Sequence, residues 1–227
     1  MDFHFAMANT EIVVPPSGQL ETFGNTILRY ALVSESMDQV DVCKVRSGTM
    51  RLMKPQIITP SNYSNMLLEG FGDEARRCAE WLQKHADDPD LHIMRYGYVL
   101  KNESFSEEEA HCGLAELLAR VVKDAEKAAD PFHAVVKGVD APWDVCLVRL
   151  FWDVVRRSVR KNVLEMAQKH LFEKRDGLPF AVHKEIEEAF AAAENNPSLI
   201  KPLGALLQRR NVFAAYEERF FKLVKKP

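Results

Sequence analysis

The spacing of apolar and polar residues changes period near residue 58. Before it, short runs rich in β-branched and aromatic side chains predict strands: "TEIVV", then "NTILRYALV". The first run stops at Pro15-Pro16, because proline cannot donate to a ladder. "QVDVCKVRSGTMRLM" reads as a hairpin of two short runs turning at Ser47-Gly48, with Gly supplying the positive φ of a two-residue turn.

From Thr59 the period becomes helical. "TPSNYSNMLLEG" predicts a helix with a capping hydroxyl, Pro60 near its first turn and Gly70 at its end. "DEARRCAEWLQKHA" predicts another, with Asp73 at its start and Ala75, Cys78, Ala79 and Leu82 as its apolar stripe. "DLHIMRYGYVLK", 90 to 101, returns to strand character. "SEEEAHCGLAELLARVVKDAEKAA" predicts a helix opened by a capping box of Ser106 and Glu109. "PFHAVVKGVDAP" reads as a linker or short strand. A long helix runs from 142 toward 172, where "EKRDGLP" breaks it, and helices over 180–194, 198–209 and 211–224 close the chain. Strands first and helices afterwards predict an α+β protein. Its parts are a small N-terminal antiparallel β lobe (1–58) and a mainly helical part (59–227) with one additional strand.

The stretch "APWDVCLVRLFWDVVRRSVRKNV", 141 to 163, holds the densest pattern. At about 100° per residue, Leu147, Val148, Leu150, Phe151, Val154, Val155 and Val159 fill an arc wider than half the circumference. Such an arc predicts burial on more than one side, hence a spine for the helical part. Ser158 falls inside the arc, where a small side chain lets another backbone approach. Arg149, Arg156, Arg157, Arg160 and Lys161 gather on the opposite side. Asp153 stands four residues from both Arg149 and Arg157 and softens that ridge by pairing with either.

Charge sharpens this picture. The net −3 of the whole chain conceals blocks of −2 over 1–72, −7 over 73–148 and +6 over 149–227. The basic block, which also carries Lys169, Lys174, Arg175, Arg209, Arg210, Lys222, Lys225 and Lys226, suits an acidic partner, either foreign or the acidic block itself. Composition adds class limits. With 47% hydrophobic and 28% charged residues, and no apolar run near the roughly 20 residues that span a bilayer, the chain reads as globular and without a membrane segment. Asp2 and the absence of a basic leader, with four widely spaced Cys (Cys43, Cys78, Cys112, Cys146), favour reduced thiols and a cytoplasmic setting.

Local motifs supply little chemistry. "GFGDEA", 70 to 75, has dinucleotide-loop spacing, but Asp73 and Glu74 would stand where phosphates need positive potential. Glu108-x-x-His111 has the spacing of one half of a di-iron helix site and lacks a second half. No cofactor and no metal site is expected. "LQRRNVFAAYEERFFKLVKKP" places Phe213, Tyr216, Phe220, Phe221 and Val224 at helical spacing, as a face that docks on the core or on a second copy of the chain. The expected function is a non-enzymatic interaction or regulatory protein. Its basic C-terminal helical surface, with Arg149, Arg156, Arg157, Arg160 and Lys161 as binding residues, would hold an acidic protein or a nucleic acid. The competing expectation is an enzyme with its site between β lobe and helices.

Overall fold

The early hydrophobic runs enter one sheet, and three later segments complete it. The computed structural model describes residues 2–54, 56–57, 68–85, 96–97, 100–175 and 178–225. In chain order the elements are α1 (Phe3–Ala8), β1 (Glu11–Val14), β2 (Thr26–Glu35), β3 (Cys43–Leu52), β4 (Gln56–Ile57), β5 (Leu68–Glu69), α2 (Asp73–His85), β6 (Tyr96–Gly97), β7 (Leu100–Ala110), α3 (Leu114–Ala128), β8 (His133–Lys137), α4 (Trp143–Gln168), β9 (Lys174–Arg175), β10 (Leu178–Pro179), α5 (Phe180–Asn195), α6 (Ile200–Arg209) and α7 (Phe213–Val224). The class is α+β, with most strands early and most helices late.

The chain divides into two compact units. The first holds residues up to Pro55, Leu67–Ile93 and Tyr98–Asn162. Its sheet has the order β1-β8-β2-β3-β7-β5. The β2–β8 and β5–β7 pairs are parallel and the others antiparallel, so the sheet is mixed. β2 is buried at seven of its ten positions, including the unbroken run Tyr30–Ser34, the signature of a strand covered on both faces. On one face Val33, Cys43 and Leu117 of α3 form a core joined by Val45, Leu114, Leu118 and Val121. On the other, a Cβ at Gly138 would lie 2.6 Å from Cys146 Sγ of α4 and 2.9 Å from Leu32 Cδ1, which is why that position carries none.

Two expected elements are corrected. Ser47-Gly48 is no turn: β3 runs unbroken from Cys43 to Leu52, and the β2–β3 turn lies at 36–42, closed by Ser36 N–H on the Val42 carbonyl at 2.8 Å. Asp41 takes the left-handed conformation there, with φ 57°. Gly48 is required for another reason, since a Cβ would collide with the Ser104 backbone carbonyl and come within 2.7 Å of Tyr30 Oη. Ser106 and Glu109 open no helix either. Both lie in β7, which pairs with β3 from Cys43↔Ala110 to Leu52↔Leu100 and adds cross-strand ion pairs Arg46–Glu107 and Arg51–Glu103. Ten ladder positions outweigh local helix preference. The helix begins only at Leu114, after Gly113 as N-cap.

The helix expected over 59–70 lies outside the described residues except at its end, where Leu68–Glu69 is strand and Gly70 has φ 79°. Of the strand expected over 90–101, Tyr96–Gly97 and the first residues of β7 are described, and both are extended.

The second unit holds Gln56–Met66, Met94–Gly97 and Val163–Pro227. Helices α5, α6 and α7 bury Val182, Ile186, Phe190, Leu203, Leu207 and Leu223. Arg210, itself buried, donates twice to Glu185 Oε2, at 3.0 and 2.5 Å. Asn211, with φ 53°, ends α6 in the left-handed conformation that glycine usually supplies. That residue makes the sharp boundary between the last two helices.

Candidate functional site on the outer face of helix α4

The rotation of α4 about its axis follows from its sequence. Leu147, Val148, Leu150, Val154, Val155 and Val159 are buried, as the wheel predicts, whereas Phe151 is only half-buried. Ser158, fully buried, accepts the Leu20 N–H at 3.0 Å and donates to the Val154 carbonyl at 2.9 Å. One turn on, buried Asn162 donates to the Leu20 carbonyl at 3.0 Å and to Thr22 Oγ1 at 2.6 Å. Both backbone groups of Leu20 are thus satisfied by one helix face. A buried amide left unpaired costs about 1–3 kcal/mol, so this clamp locks the helix in one orientation.

The locked orientation turns the ridge outward. Arg149, Arg156, Arg157, Arg160 and Lys161 are all exposed. Arg149, Arg156 and Arg160 share one arc and span about 16 Å along the axis, at 1.5 Å per residue. Arg157 is drawn aside by an ion pair with Asp153 and donates to the Pro16 carbonyl at 3.5 Å. Lys161 flanks the arc. Asp153 has therefore chosen Arg157 over Arg149. Of the wider basic block, buried Arg210 is taken by Glu185, and Lys222 pairs with Glu218. Lys169, Lys174, Arg209 and Lys225 are exposed.

A second charged cluster left no trace in the sequence. At one end of the sheet Arg46 donates to Asp140 Oδ1 at 2.5 Å, to Glu107 Oε2 at 2.5 Å and to Ser34 Oγ at 3.4 Å. Lys44 Nζ and the Met37 N–H donate to Asp140 Oδ2 at 3.1 and 3.0 Å. The Arg46 guanidinium lies 5.4 Å from the Trp143 ring. Burial pushes the Asp140 carboxyl up, but the hydrogen bonds from Arg46, Met37 and Lys44 outweigh it and hold the group below the usual carboxylate range. The Asp140 hydrogen bond in turn raises Lys44. Both Asp140 oxygens and both cations are engaged with one another, which suits a structural pin better than a proton donor.

The remaining motifs resolve in place. Gly72 N–H, an amide that a phosphate would need, donates to Asp144 Oδ2 at 2.7 Å. Glu108 lies inside β7 and His111 after its end, so the helical i, i+3 geometry of a di-iron half-site does not arise. Among the described residues no three His, Cys, Asp or Glu side chains converge as metal ligands. His111 and the half-buried Cys112 line a groove of about 550 Å³ with Glu35, Asp38, Asp41 and Cys43. Burial pushes the Cys78 thiol up to about 12 and raises Cys43 and Cys146 as well, which makes these three poor nucleophiles. His183 Nδ1 lies 3.2 Å from Tyr216 Oη. The α7 aromatic face is partly docked: Leu223 is buried and Phe220 Cζ stands 3.1 Å from where a Cβ on Gly204 would lie, while Phe221 and Val224 stay exposed. No described helix is long and apolar enough to cross a membrane.

No family model matches the chain, and no curated protein or solved structure matches it either.

Proposed function

We propose that this chain is a non-enzymatic binding protein that holds an acidic macromolecule against the outer face of α4. The observation that carries this reading is the line of exposed Arg149, Arg156 and Arg160 on a helix whose opposite side is clamped by Ser158 and Asn162. A row of guanidinium groups on a fixed helix is matched to repeated carboxylates or phosphates, because each group offers a planar fork of donors and keeps its charge at any working pH. The clamp means that little ordering is needed on binding, so more of the ionic attraction is retained. The partner is defined here by its chemistry, closely spaced anions along an extended surface.

The test is a titration of labelled mixed-sequence duplex DNA, single-stranded DNA and polyglutamate with the intact chain at low salt. Binding to at least one of them is expected. If three duplex phosphates are neutralised, affinity should fall about 40-fold between 50 and 200 mM salt, from a slope of about 0.9 per contact. Absence of binding to all three polyanions would reject the reading.

A further inference from the structure

We propose that the outer edge of β7 docks an extended basic segment of another polypeptide, added to the sheet as a further strand and seated on Phe105. Among the described residues, that edge pairs only at Leu100–Lys101, with β5, while Ser104–Glu109 pair with β3 on the inner side alone and Glu103 stands at the register shift between Thr49 and Met50. All seven of these side chains are exposed. Alternate N–H and C=O groups of such an edge point outward and are satisfied only by water or by an added strand.

Three features specify the occupant. Phe105 is 52% exposed in the middle of the edge and is backed by Trp143 at 4.8 Å between ring centroids. Trp143 is itself backed by Arg46. Its glutamates and the irregularity at Glu103 guard the edge against indiscriminate pairing, while the exposed aromatic ring at its centre offers an anchor to a strand of complementary charge. Glu107 is already bound to Arg46, but Glu108 and Glu109 pair with no cation among the described residues. Register assigns their directions: Phe105, Glu107 and Glu109 lie opposite Gly48, Arg46 and Lys44, and Ser104, Ser106 and Glu108 lie opposite Thr49, Ser47 and Val45. An incoming strand therefore meets an apolar anchor and a carboxylate on one face and a second carboxylate on the other. Lysine or arginine spaced around an apolar residue fits both faces. A second copy of β7 fits poorly, because antiparallel pairing centred on Phe105 would set Glu103 against Glu107 twice.

The probe is a labelled peptide alternating Lys and Val with one central Phe, measured by fluorescence anisotropy against the full chain. Saturable binding is expected. Glu108→Lys with Glu109→Lys should weaken it at least tenfold and Phe105→Ala at least fivefold, with unfolding midpoints checked for each variant. Methylating every internal backbone nitrogen of the peptide should abolish binding to the unmodified protein. Equal affinity of the methylated peptide would overturn the proposal, since plain charge attraction would then suffice. A dimer of the chain that Phe105→Ala dissociates would also overturn it, by giving the edge to a second copy.

Discussion

Asp140 shows how one residue acquires its role from positions far away. Its partners Arg46 and Lys44 stand 94 and 96 positions off, so no local pattern announces the cluster, and charge counting puts the cations in block 1–72 and Asp140 in block 73–148. Asp140→Asn keeps the shape, removes the charge and leaves Arg46 buried with one anion fewer. At neutral pH it should cost about 3–5 kcal/mol, the usual penalty for breaking a buried pair. The sign of the pH dependence follows from the lowered carboxyl. Its stabilisation is complete above the ordinary carboxylate value of about 4 and is lost as pH falls through the lower folded value. Urea unfolding of both proteins at pH 7 and pH 3 should therefore show a large gap that narrows in acid. A gap that stays constant would mean that the carboxylate charge is not what holds Arg46. The five basic residues of the ridge lie in the opposite situation, since they share one helix and their common face was legible from spacing alone.

At the scale of elements, α4 and β7 mark the two ends of legibility. The apolar arc of α4 was readable because its period is local, and Ser158 was placed correctly inside it. β7 was misread as the start of a helix because "SEEEA" carries a capping box and no strand pattern. Its strand state comes from the ladder with β3 and from the Arg46–Glu107 and Arg51–Glu103 pairs, none of which a local window contains. The same holds for Gly48, whose need arises from the Ser104 carbonyl and Tyr30 on the two neighbouring strands. The α4 assignment has a direct energetic check. Leu150→Ala should cost about 2–5 kcal/mol from lost transfer energy and a cavity. Ser158→Ala should cost about 1–3 kcal/mol, because the buried Leu20 N–H loses its acceptor. Arg156→Ala should stay within about 0.5 kcal/mol. Denaturant unfolding that returned equal losses at Leu150 and Arg156 would contradict the orientation given to the helix.

At the scale of the molecule, the charge blocks of the sequence do not coincide with the two compact units, since the basic block begins in the first and continues in the second. Several carboxylates of the 73–148 block are engaged inside the first unit, by Arg46, Arg51, Lys44 and Arg29 of the strands and by neighbours on their own helices. Under the two proposals, the arginine line of α4 and the acidic edge of β7 would take partners of opposite charge. The decisive comparison reverses three charges in two places: Arg149→Glu, Arg156→Glu and Arg160→Glu on the α4 line, against Arg76→Glu, Arg120→Glu and Lys123→Glu, which are exposed on α2 and α3. Both variants change net charge equally, so any difference between them reports position. The quantity measured is affinity for whichever polyanion the unmodified chain binds, at one fixed low salt concentration. The α4 variant should lose at least ten times more affinity than the α2–α3 variant, with both unfolding like the parent. Equal losses in the two variants would show that net charge rather than the α4 face attracts the partner.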